Sequence, residues 1–110
     1  GKGIHQLPLQ VASPHVVWFH VGGFSGSHVV VPLARGQEPD TETLLDASHL
    51  AVRFSKAPDH GFAEVMWTRR KHVRAVRKGR PGQVTVAQER NVSFDVDEAR
   101  LRRLLTSTPP

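Results

Sequence analysis

The 110-residue sequence contains no cysteine. This absence excludes a disulfide framework, a thiolate zinc site and catalysis by a cysteine nucleophile. No apolar run approaches the ~18 residues that a membrane-spanning helix needs, and the opening stretch GKGIHQLPLQ has no apolar signal-peptide core. We therefore expect a cytoplasmic protein without a membrane partner. A chain of this length predicts one domain over residues 1–110, with one modest core.

Negative charge is scarce in one part of a chain that carries a formal net charge of +5. The stretch RRKHVRAVRKGR, from Arg69 to Arg80, holds seven Lys and Arg residues and no acid, whereas several acids lie in EPDTETLLD. Charge separated in this way favours a nucleic-acid partner. The simpler alternative is a solvent-exposed strand and turn rich in arginine.

β-branched and aromatic stretches predict five or six strands. They are HVVWFHV (15–21), HVVVPL (28–33), FAEVMWT (62–68) with an extended continuation RRKHVRAV, and a hairpin formed by QVTVAQ and NVSFDV around residues 89–91. The glycine-rich GGFSGS joins the first two strands, so His28 stands at the entrance of a strand. RKGRPGQ predicts a turn. Trp18 and Trp67 are candidate stacking platforms for unpaired bases, but both lie inside apolar strands, so we expect them in the core.

Two segments have the periodicity of helices. The main helix is predicted from Asp40 or Thr41, either of which can cap it, to Ser55. Its apolar face includes Leu44, Ala47, Ala51 and Phe54. A short C-terminal helix, DEARLRRLL, is capped by Asp97 and places Leu101, Leu104 and Leu105 at core spacing. The predicted fold class is α+β, a single domain with a mixed or antiparallel sheet, a central helix and a terminal helix, with poor order at 1–14 and 106–110.

Ordered blocks along nearly the whole chain resemble the NFACT RNA-binding domain (NFACT-R) family, in its stand-alone bacterial type. The blocks are VVWFH, GSHVVV, TETLLDASHLAVRFSKA, WTRRKHV, RKGRPGQV and the opening GKGIHQ. The family also occurs in ribosome-associated quality-control factors. The chain departs from the family pattern at Leu7-Pro8, Val16, Ser25 and Trp67, where the family has Asn-Asp, Asp, Pro and Tyr.

The resemblance implies a non-enzymatic RNA-binding module without a cofactor or metal. Its expected partners are tRNA or ribosomal RNA and the ribosome, in translation or ribosome-associated quality control. We expect the RNA contacts to come from the basic segment and the Gly-Ser-His loop. The predicted contact residues are Phe24, Ser25, Gly26, Ser27, His28, Lys56, Arg69, Arg70, Lys71, Arg74, Arg77, Lys78 and Arg80. If residues 68–73 form a strand, Arg70 and His72 share one face, and Arg69 and Lys71 share the other.

The role of His28 has three alternatives. A metal site would combine it with His20 and with His15 or His72, and supports an alternative function as a small metal-dependent or hydrolytic enzyme. A catalytic base would act beside Ser25 or Ser27, but GFSGS differs from G-x-S-x-G. The third alternative is a donor cluster, Gly26-Ser27-His28, that binds phosphate or closes the backbone as a structural clasp, and it needs the fewest additional assumptions.

Overall fold

The computed structural model describes residues 16–23, 28–76 and 84–107. In these residues the elements are β1 (Val17–His20), β2 (Val29–Val31), α1 (Thr41–Phe54), β3 (Phe62–Arg69), β4 (Val73–Ala75), β5 (Val84–Val86), β6 (Arg90–Asp95) and α2 (Glu98–Ser107). The predicted α+β class is confirmed. Residues 106 and 107, expected in a frayed tail, belong to α2. No helix in the described part of the chain is long and apolar enough to cross a membrane.

Four strands form an antiparallel sheet in the order β2-β1-β3-β6, and β4 and β5 form a separate two-stranded sheet. In the larger sheet Trp18 lies opposite Thr68, and Met66 lies opposite both His20 and Asn91. Opposite residues of antiparallel strands share a face. The register therefore defines two faces, a helix face packed against α1 and α2 and an outer face that carries these five residues.

The helix face of the sheet holds the main core. Its buried strand residues include Val17, Phe19, Val65 and Trp67, and α1 adds a buried stretch over residues 47–52. The rings of Phe19 and Trp67 stack with centroids 6.2 Å apart. Each fully buried apolar side chain contributes about 1.5–3 kcal/mol of transfer free energy, so this layer is the principal source of stability.

Local capping fixes both ends of α1, and the N-cap by Asp40 is as predicted. The N–H of Thr43 donates to Oδ1 of Asp40 at 2.7 Å, and the hydroxyl of Ser55 donates to the carbonyl of Val52 at 2.9 Å. The prediction that Phe54 belongs to the core is wrong, because its side chain is 40 % exposed. Phe54 is the last residue of α1 and lies beyond the buried stretch that packs on the sheet.

α2 is held against α1 by polar contacts as well as by the buried Leu101 and Leu104. Asp97 caps it as predicted, because its Oδ1 accepts from the N–H of Arg100 at 3.1 Å. The guanidinium of Arg100 lies 2.9 Å from Glu42 and 2.7 Å from Asp46 on α1. Leu105 was predicted in the core, but it is 44 % exposed, since the residue after Leu104 turns about 100° away around the helix axis.

Two strand predictions are wrong. The segments 84–86 and 90–95 do not pair as a hairpin, because β5 pairs with β4 and β6 pairs with β3. The hydroxyl of Thr68 donates to the carbonyls of Ala87 and Gln88, and Gln88 has a positive φ of 54°, so the chain changes direction between β5 and β6. Residues 70–72, predicted as extended, form a 3₁₀ turn between β3 and β4.

Candidate nucleic-acid interface

The small β4–β5 sheet covers one part of the outer face. Val16, Trp18, Val30 and Val73 form a second buried cluster, against which residues of β5 pack. Trp18 is 2 % exposed and Trp67 is 8 % exposed, so the prediction that both tryptophans are core residues is confirmed. Trp18 therefore lies in the buried contact between the outer face of the larger sheet and the β4–β5 sheet.

His28 packs against the Trp18 ring at the entrance of β2. The ring centroids of His28 and Trp18 are 5.9 Å apart, and His20 stacks on the same tryptophan at 5.3 Å. Burial lowers the pKa of His20, which favours its neutral form. The described residues contain no group of three His, Asp or Glu side chains that could hold a metal ion, and His15 lies outside them. The geometry here is that of aromatic packing, with His28 half-buried.

Arg69 and Arg70 bind backbone carbonyls. The guanidinium of Arg69 donates to the carbonyl of Gln37, in the loop between β2 and α1, and Nη1 of Arg70 donates to the carbonyl of Val73 at 2.8 Å. Both side chains are half-buried. The predicted alternation over these residues is wrong, because the 3₁₀ turn replaces the strand period of two with a period close to three. These two arginines therefore help to position the turn.

Lys71 and Arg74 are exposed by contrast. Among the described residues no carboxylate lies within 4.0 Å of either cation, whereas Arg100 and Arg103 pair with Asp46 on α1. Because Lys71 lies in the turn and Arg74 in β4, both charges follow the end of β3. We name these two residues the cationic pair. Their charges are available to an anionic partner.

The structure separates Lys56 from the cationic pair. Lys56 is exposed and follows the C-terminus of α1, near the start of β3, whereas the cationic pair follows the end of that strand. Seven other predicted contact residues lie outside the described residues and stay predictions. They are Phe24, Ser25, Gly26, Ser27, Arg77, Lys78 and Arg80.

Sequence reasoning missed the open part of the outer face. Phe62 is 71 % exposed there, and it shares this face with Glu64 and Met66. The alternation in FAEVMWT contains the necessary signal, because placing Val65 and Trp67 inside puts the other three residues on the opposite face.

Comparison with known proteins identifies the family. The chain matches the model of the NFACT protein RNA binding domain over residues 6–88. It belongs to this family. The Rqc2 homolog RqcH of Bacillus subtilis is 34% identical over 101 residues, which cover 92% of the chain and 17% of that protein. The Rqc2 homolog RqcH of Streptococcus suis is 28% identical over 99 residues, covering 90% and 18% respectively.

A solved structure has the same fold as this domain. It is the C-terminal part of the fibronectin/fibrinogen-binding protein from Streptococcus suis, with a TM-score of 0.71 and 29% sequence identity. The match covers 84% of this chain and 36% of that one. The two Rqc2 homologs are much longer, and the chain spans less than a fifth of the length of each. The family assignment applies to this domain, and the activities of those longer proteins are a separate question.

Proposed function

We propose that this NFACT RNA-binding domain is a non-enzymatic module that binds tRNA or ribosomal RNA through the cationic pair. The observation that carries the proposal is the exposure of Lys71 and Arg74, without an acidic partner among the described residues, in a chain of this family. Similarity to the Rqc2 homologs supports a role on the ribosome, in the cytoplasm, during quality control of translation.

The half-buried arginines support the same function at longer range. Arg69 and Arg70 each use one guanidinium nitrogen to bind a backbone carbonyl. They raise the positive potential around the cationic pair, and that potential attracts polyanions. His28 contacts Trp18, whose cluster includes Val73, the neighbour of Arg74. We place His28 on the same RNA-facing side.

Salt dependence tests the proposal. Each phosphate contact contributes roughly 0.9 to the logarithmic salt slope on a duplex and roughly 0.7 on a single strand. The double variant Lys71→Ala/Arg74→Ala should therefore weaken binding to a tRNA and reduce the slope by about 1.4–1.8. Equilibrium binding across a salt series measures both quantities.

A control variant that removes the same charge elsewhere shows whether RNA binding depends on these two residues or only on the net charge of the protein. Arg53 and Arg102 are exposed on the two helices, so Arg53→Ala/Arg102→Ala removes the same total charge elsewhere. The control should keep most of the affinity and the slope of the parent. Equal losses in both double variants would contradict a localised interface.

A further inference from the structure

A cleft of about 430 Å³ lies at the start of β3, outside the part of the outer face that β4 and β5 cover. Its walls include Gly22, Pro58, Phe62, Glu64, Met66 and Asn91. The volume falls within the range of roughly 300–1,000 Å³ typical of small-ligand sites. The lining combines an aromatic ring and a thioether with polar groups from neighbouring strands.

The edge of β3 is open along this cleft. β1 pairs with β3 only from Met66 to Arg69, so the first half of β3 has a described strand partner on the β6 side alone. The carbonyl of Gly61 accepts from Val96 and thus points towards β6. Successive residues of a strand direct their backbone N–H and C=O groups to opposite sides. Those of Phe62 and Glu64 therefore point away from β6, to the cleft side.

These groups match the chemistry of an unpaired nucleobase. Phe62, at 71 % exposure, offers a stacking surface, and base–aromatic stacking accepts any base. The carboxylate of Glu64 accepts hydrogen bonds from exocyclic amino groups, and the amide of Asn91 both donates and accepts. Lys56 is exposed directly before the cleft-lining Ala57 and Pro58, where it can contact the phosphate of the same nucleotide.

An extended peptide fits the same edge less well. The open part of β3 has only the four residues 62–65, of which two direct backbone groups to the cleft. This is shorter than the usual strand of about 5–6 residues, so a peptide would gain few ladder hydrogen bonds. Such a short edge suits a single planar base.

We infer that this cleft holds one unpaired RNA base, stacked on Phe62 with its polar edge towards Glu64 and Asn91. The inference rests on the proposed RNA-binding function and adds a second point of contact. Phe62 and Arg69 are the two ends of β3, so the base site and the cationic pair are separated by roughly 23 Å at ~3.3 Å per residue. An RNA that binds both must therefore combine a phosphate backbone at one end with an unstacked base at the other.

Binding to two RNA probes tests the inference. The probes are a single strand of about eight nucleotides and a blunt RNA duplex of about 16 base pairs. Phe62→Ala should weaken binding of the single strand by about 5-fold or more, since stacking on one base corresponds to ~5–150-fold in affinity. It should leave duplex binding unchanged. Leu105→Ala, which removes an exposed apolar side chain from α2, is the control and should bind both probes like the parent.

Phe62→Trp supplies a direct readout. It keeps a stacking ring, so it should retain the affinity of the parent for the single strand. Because Trp18 and Trp67 are buried, fluorescence quenching that appears only in this variant reports a base at position 62. Absence of that quenching at saturating single strand, or equal affinity of Phe62→Ala and the parent, would overturn the inference.

The two proposals fail in different ways. If the parent binds neither probe, the proposed function fails, and the base site fails with it. If Lys71→Ala/Arg74→Ala loses binding while Phe62→Ala binds both probes like the parent, only the base site is wrong. If Phe62→Ala binds both RNA probes like the parent but no longer sediments with ribosomal particles, the cleft makes a different contact and the inference is also overturned.

Discussion

Acid should destabilise this domain through His49, a buried histidine that joins α1 to the start of α2. His49 is 2 % exposed, and its ring stacks on Phe94 with centroids 4.5 Å apart. Its Nδ1 lies 2.7 Å from the carbonyl of Leu45, and its Nε2 accepts from the N–H of Asp97 at 3.0 Å. A neutral ring protonated on Nδ1 satisfies both bonds. A second proton, on Nε2, would face the N–H of Asp97 and break that contact.

The direction of the pKa shift of His49 determines whether acid raises or lowers the stability of the domain. Burial is the largest cause and lowers the pKa of His49 below its usual 6.5, although the bond to the Leu45 carbonyl raises it. The unfolded chain therefore binds this proton more tightly than the folded one. The stability linked to His49 is complete well above pH 6.5 and is lost as the pH falls. Integrated from about pH 7.5 to about pH 5.5, one such group lowers the unfolding free energy by at most about 1.4 kcal/mol.

His49→Gln tests this reasoning, because glutamine keeps a donor and an acceptor but does not titrate. In urea unfolding at about pH 7.5, His49→Gln should have an unfolding free energy ~1–3 kcal/mol below that of the parent, the cost of leaving one buried hydrogen-bonding partner unsatisfied. Between the two pH values the variant should lose less stability than the parent. His20, whose pKa burial also lowers, is present in both proteins, so their difference isolates His49.

His60→Gln is the matched control, since the side chain of His60 is 76% exposed. It should follow the pH dependence of the parent. If the parent and His49→Gln lose the same unfolding free energy between the two pH values, His49 does not cause the acid sensitivity.

The other predictions concern the core and His28. Leu104→Ala should cost about 2–5 kcal/mol in chemical denaturation, since Leu104 is fully buried, whereas Leu105→Ala and Phe54→Ala should each cost less than about 2 kcal/mol. Equal costs would show that exposure does not govern these positions. His28→Ala should weaken tRNA binding, and His28→Gln, which keeps a donor, should restore part of it. Unchanged affinity in both variants would limit His28 to packing on Trp18.

The helices could be predicted from the sequence because their determinants are local. Asp40 and Asp97 cap the two helices with side-chain bonds three residues ahead, a spacing that is visible in the sequence. The spacing of apolar residues predicts which face of a helix is buried. It does not predict at which residue the helix stops contacting the sheet. Phe54 continues the stripe of α1, yet the buried stretch ends before it, because burial depends on the position of the sheet.

Strand partners could not be predicted in the same way. Alternation identified β5 and β6 as extended, but pairing depends on contacts between segments far apart in the chain. The hydroxyl of Thr68, about 20 residues before Ala87 and Gln88, bonds to both carbonyls where the chain leaves one sheet for the other. Its importance is not apparent from the sequence, because a threonine within a strand usually indicates only β propensity.

The basic segment illustrates the same limit for function. Arg69, Arg70, Lys71 and Arg74 are equivalent as charges in the sequence, yet two of them bind carbonyls and two are exposed. The 3₁₀ turn makes the difference, since it turns the guanidinium of Arg70 back onto the carbonyl of Val73 three residues later. All four charges contribute to the positive potential that attracts a polyanion from a distance. Direct phosphate contact is made more readily by a side chain whose donors are not already engaged. For Arg69 or Arg70, such a contact must share or give up a guanidinium that already holds a backbone carbonyl, so we expect the cationic pair to reach an RNA phosphate at the lower structural cost.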